Sequence, residues 1–82
     1  MTNKDKINIL AEIAEYDGES SLREDYSGRC MCGDTCIGIV TPYPTEIMEE
    51  AATAGITGAR TDSMGLKTIV YWPSVKGDQE LI

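Results

Sequence analysis

The chain has 82 residues, with fourteen acidic side chains against seven basic ones, for a formal charge of −7. A chain of this size forms one domain, here 1–82, and its charge sets it against nucleic-acid phosphates and towards basic protein surfaces. With no His, no Phe and one Trp, histidine-based catalysis is excluded, and the core must come from aliphatic residues, Met and Tyr.

Residues 3–15 place Ile7, Leu10, Ala11 and Ala14 at helical spacing, with Ile9 and Ile13 widening the stripe. Thr2 or Asn3 caps the start, Asp5 complements the dipole, and Asp17-Gly18 ends the helix. Glu12 and Glu15 interrupt the apolar run, so this segment does not read as a signal peptide. No stretch approaches the roughly 18 apolar residues of a membrane span. A cytoplasmic location is expected.

Residues 17–25, DGESSLRED, read as a solvated loop or weak edge strand anchored by Leu22. YSGRCM and TCIGIVT, within 26–41, then predict a β-hairpin turning at Cys32-Gly33-Asp34. Gly28 and Gly38 inside these runs mark a bulge or a close backbone approach.

Pro42 stops the second strand, and PYPTEIMEEAATAG predicts a helix. Proline stands at its entry, Thr45 is the expected cap, Glu46, Glu49 and Glu50 fill its first turns, and Gly55 supplies the exit. Ile47, Ala51 and Ala54 form the inner stripe. ITGARTDSMG is rich in turn formers, and LKTIVYW is the strongest strand, ended by Pro73. Residues 73–82 are expected to be a loose tail. The fold class is therefore α+β: a two-layer sandwich in the order α-β-β-α-β, with a three- or four-stranded sheet and helices on one face. The second helix is expected to act as a crossover joining parallel strands.

The cysteines follow C-x-C-x₃-C at Cys30, Cys32 and Cys36. A structural zinc site takes four ligands, and only Asp34 stands nearby as a fourth. Packing inside a hairpin explains the three thiols better than a metal, so no metal and no cofactor are expected. The odd number also argues against a disulfide framework. There is no G-x-S-x-G elbow, and G-x-x-G-A-R at 55–60 lacks the lysine of a phosphate loop. An enzyme is not expected.

Three sets of residues remain as candidate sites. The acidic side chains Glu12, Glu15, Asp17, Glu19, Glu24, Asp25, Glu46, Glu49 and Glu50 are candidates to meet Lys or Arg on a partner. Tyr26, Ser27, Arg29, Arg60 and Asp62 form an alternative small-anion or nucleotide pocket, because arginine's planar fork suits carboxylate and phosphate. Internal pairs such as Arg60–Asp62 or Arg29–Asp34 explain the same arginines by loop pinning. Tyr71 and Trp72 face opposite sides of their strand, so one of them is expected at an interface, as in a homodimer.

The combination Y-S-G-R-x-M, C-x-G-I, G-A-R-x-D-x-M-G and Y-W-P, over residues 26–73, resembles small uncharacterised accessory proteins of tailed bacteriophages. The resemblance implies synthesis in an infected bacterial cytoplasm and a role in disabling host machinery, as anti-CRISPR and other anti-defence proteins do. It supplies no catalytic residue or cofactor. The leading expectation is an acidic inhibitor of a host protein or nucleoprotein complex with a basic surface, binding neither nucleic acid nor membrane directly. A ligand-sequestering protein and a purely structural assembly protein are the alternatives.

Overall fold

The structure, a computed structural model, describes residues 1–16, 18–26 and 36–76. Helix α1 (Asn3–Tyr16) opens on a reciprocal cap. The Thr2 amide donates to Asp5 Oδ2, and the Asp5 amide donates to Thr2 Oγ1, both at 3.1 Å. Strands β1 (Ser21–Tyr26) and β2 (Cys36–Thr41) follow, then helix α2 (Pro44–Thr53) and strands β3 (Arg60–Met64) and β4 (Lys67–Lys76). The sheet order is β1-β2-β4-β3, and every neighbouring pair is antiparallel. The α+β class and the single helical layer match the sequence reading.

One core lies between helices and sheet. Leu10 and Ala14 from α1, and Ile47 and Ala51 from α2, pack on Ile37, Ile39, Val70, Trp72 and Val75. Trp72 is fully buried there, and among the described residues its Nε1–H has no hydrogen-bond partner. The reverse face of the sheet carries a smaller cluster of Tyr26, Cys36, Ile69 and Tyr71, which alternate with the helix-facing residues as strand geometry requires.

Several expectations are corrected. A strand lies at 21–26, on the acidic stretch read as a loop or weak edge strand, and of the strand expected at 26–31 only Tyr26 falls within the described residues. Its charged residues suit an edge, where one side of the ladder faces solvent and charge discourages further pairing. Residues 27–35, with the expected hairpin turn, lie outside the described residues. The turn-rich segment before the last strand is itself a strand, β3. It is closed onto β4 by the two-residue turn Gly65-Leu66, with a φ of +67° at Gly65 alone, the pattern of a type II′ hairpin.

This extra strand changes the crossover. Strands β2 and β3 run parallel but are not neighbours, because β4 returns between them, antiparallel to both. The unit is a split β-α-β rather than a simple parallel crossover. Nor does Pro73 end β4, which continues to Lys76. The register with β2 jumps between Ile37↔Trp72 and Cys36↔Lys76, and pairing with β3 stops at Tyr71. Proline thus falls at a bulge, where its missing N–H costs no ladder bond.

Thr45 is not the cap of α2. Tyr43 occupies that position without a side-chain cap bond, and Pro44 opens the helix. The exit is as expected from Gly55, whose φ is +93°. Its amide donates to Ala52 O at 3.0 Å and the Ile56 amide to Ala51 O at 2.8 Å, a Schellman closure that also buries Ile56.

Candidate functional site

The two helices leave a shallow trough on their outer side. On α1, Ile9, Ile13 and Tyr16 recur at i, i+4 and i+7, a stripe beside the buried Leu10 and Ala14. Ile9 and Ile13 are half-buried, whereas Tyr16 is 86% exposed. On α2, Ile47 and Ala51 turn inward, which leaves Glu46, Glu49 and Glu50 exposed. The result is a groove of about 430 Å³ walled by Ile9, Ile13 and Tyr16 on one side and by Glu49, Glu50 and Thr53 on the other. Glu12 also lines it.

A second groove of about 400 Å³ adjoins the first, sharing Tyr16, Glu49 and Glu50 and adding Tyr43, Glu46 and Ile47. Tyr43 is 42% exposed. Its place is set by the buried Thr41, whose Oγ1 accepts the Tyr43 amide at 3.0 Å and the Ser20 hydroxyl at 2.8 Å. The two hydrogen bonds satisfy a hydroxyl otherwise buried at the end of β2 and fix the bend into α2.

Four of the nine acidic candidates therefore meet on the α1–α2 face: Glu49 and Glu50 line both adjoining grooves, Glu12 the first and Glu46 the second. Among the described residues, no Lys or Arg lines either groove. Glu15, Glu19 and Glu24 are exposed but stand away from it. Asp17 and the side chain of Asp25 lie outside the described residues. The sequence marked the carboxylates but not the trough between them. Its signal was a helical stripe wider than the core uses, running from Ile9 through Ile13 to an aromatic residue.

On the reverse face of the sheet, two members of the alternative pocket come together. The Tyr26 hydroxyl donates to Asp62 Oδ2 at 3.0 Å. The Tyr26 ring also lies 5.0 Å from that of Tyr71, tilted by 55°. Desolvation, then the bond to Asp62 and its negative charge, push the Tyr26 phenol above its ordinary value. Cys36 is buried beside them, and its Sγ donates to Tyr26 O at 3.2 Å. Arg60 shares this face by register, opposite Tyr71, with an exposed side chain. Ser27 and Arg29, like Cys30 and Cys32, lie outside the described residues.

The expected interface pair is corrected. Trp72 is fully buried under the helices, and Tyr71 is only 3% exposed beneath Tyr26. Trp72 belongs to the core on the helix side of the sheet and Tyr71 to the cluster on its reverse face. Among the described residues, no helix is long and apolar enough to cross a membrane, and no three His, Cys, Asp or Glu side chains group as metal ligands. Searches of protein-family models, curated proteins and solved structures find no match to this chain.

Proposed function

We propose that this protein is a non-enzymatic inhibitor that docks its α1–α2 face on a basic surface of a host protein or nucleoprotein complex. The observation carrying this reading is the convergence of Glu12, Glu46, Glu49 and Glu50 on two adjoining grooves that, among the described residues, no basic side chain lines. Four carboxylates on one rigid face attract Lys and Arg, and the field of a chain at −7 steers such a partner during approach. Tyr16 and Tyr43 add contact area that loses little entropy on binding. The phage-like motifs point to a bacterial target.

The Tyr26–Asp62 pair supports the alternative pocket less well. Its hydroxyl and carboxylate are already bonded to each other, and the phenol ring is packed on Tyr71. The test is capture of the target from bacterial lysate, followed by affinity measurements on the isolated pair. Binding should weaken steeply between low and moderate salt, since exposed charge pairs are screened within about 8–10 Å at ordinary ionic strength. Salt-insensitive binding would remove the reading.

A further inference from the structure

We infer that the occupant of the α1–α2 trough is a basic amphipathic helix, whose apolar side chains enter the trough while its Lys or Arg residues meet the rim. This inference rests on the acidic-face reading above and specifies its partner. A flat acidic patch that mimics phosphates needs only carboxylates. Here the carboxylates border two adjoining grooves, one over Ile9 and Ile13 and the other over Ile47, with the exposed Tyr16 shared between them and the exposed Tyr43 in the second.

The trough has the dimensions of a helix contact. From Ile9 to Tyr16 is seven residues, roughly 10 Å at about 1.5 Å per residue, or two turns of a docked helix. Ridge-in-groove packing would then seat anchors spaced i, i+4 and i+7 on the partner. The charge selects the partner's flanks. Glu49 and Glu50 belong to both grooves, Glu12 to one and Glu46 to the other, so cations on either side of the apolar stripe find a carboxylate. A second copy of this chain fits poorly, because its own helix pair would bring the same carboxylates against these.

The experiment uses two fluorescein-labelled synthetic peptides of equal length and charge, read by anisotropy against the full chain at low salt. One carries Leu at i, i+4 and i+7 with Lys on the flanks. The other has Ala at those three positions, which keeps both helicity and charge. The Leu peptide is expected to bind at least tenfold more tightly than the Ala peptide. Tyr16→Ser, at an exposed position, should erase most of that difference by weakening the Leu peptide far more than the Ala peptide.

Equal affinity of the two peptides would overturn the inference, as would an unchanged Leu preference in Tyr16→Ser. Either result still leaves an acidic face that binds by charge. Failure of that underlying reading looks different: a folded Glu46→Lys/Glu49→Lys/Glu50→Lys variant would bind both peptides, and the captured target, as tightly as the unmodified chain.

Discussion

Tyr26 on β1 and Asp62 on β3 hold the two edges of the sheet together, the tyrosine hydroxyl donating to Asp62 Oδ2 at 3.0 Å. The strands between them, β2 and β4, are crossed by side chains rather than by the ladder. A register shift in β1 between Arg23 and Tyr26 brings the tyrosine opposite Cys36, on the face that Asp62 shares.

Tyr26→Phe should keep the ring contact with Tyr71 but lose the bond to Asp62, lowering stability by about 1 kcal/mol at neutral pH. The phenol's value is raised in the fold, so folding favours its neutral form. The associated stabilisation is complete below the unfolded value near 10 and is lost as pH rises through the folded value. Urea unfolding should therefore show the gap between the two proteins shrinking above pH 10. A gap that stays constant to pH 11 would refute the assignment.

Gly38 gives that face its closeness. A Cβ there would stand 2.7 Å from Ile69 Cδ1 and 3.4 Å from Tyr71 Cβ, and Ile69 is fully buried with little room to move. Gly38→Ala is expected to destabilise by roughly 1–3 kcal/mol through overpacking. Ile69→Val removes the nearest atom, so the double variant should lose less than the two single losses combined. Strict additivity in thermal unfolding would show that the close approach is not the cause.

The cap of α1 makes a prediction in acid. The Asp5 carboxyl is held below its ordinary value of 3.8, first by the Thr2 backbone amide and then by the Thr2 hydroxyl. Its contribution is present above 3.8 and is lost as pH falls through the lowered folded value. Protection of the first-turn amides of α1, taken relative to their intrinsic exchange rates at each pH, should fall in acid for the unmodified chain. In Asp5→Ala it should already be low at neutral pH and change little further in acid. Equal protection of the two proteins at pH 7 would contradict the cap.

Helices were legible because their signals are local: Thr2 with Asp5 at one start, Pro44 at the other, Gly55 at an exit. The edge strands were not. Arg60-Thr61-Asp62-Ser63 has almost no apolar pattern because a mostly exposed edge buries little, and only Gly65 hinted at the hairpin that pairs it. Pro73 read as a stop because the bulge that accommodates it depends on the register with β2, a tertiary fact. For the same reason nine acidic candidates could be named but not sorted. Glu12 on α1 joins the three of α2 only because the helices lie side by side.

That sorting yields the strongest functional prediction. Reversing Glu12, Glu46, Glu49 and Glu50 to lysine replaces four attractive partners with four repulsive ones around the two adjoining grooves. Single exposed pairs are worth only about 0.2–1 kcal/mol. Acting together on one face, they should cost a few kcal/mol, a loss of about a hundredfold or more in target affinity. Reversing Glu15, Glu19 and Glu24 changes the net charge almost as much but touches neither groove. That second variant should slow association through the weakened overall field, while dissociation stays close to that of the unmodified protein. Surface plasmon resonance separates the two rates, and circular dichroism checks that α2 survives the loss of Glu46, whose charge complements the first turn. If the two folded variants lose affinity equally and only through association, the field alone drives binding, and the trough has no privileged role.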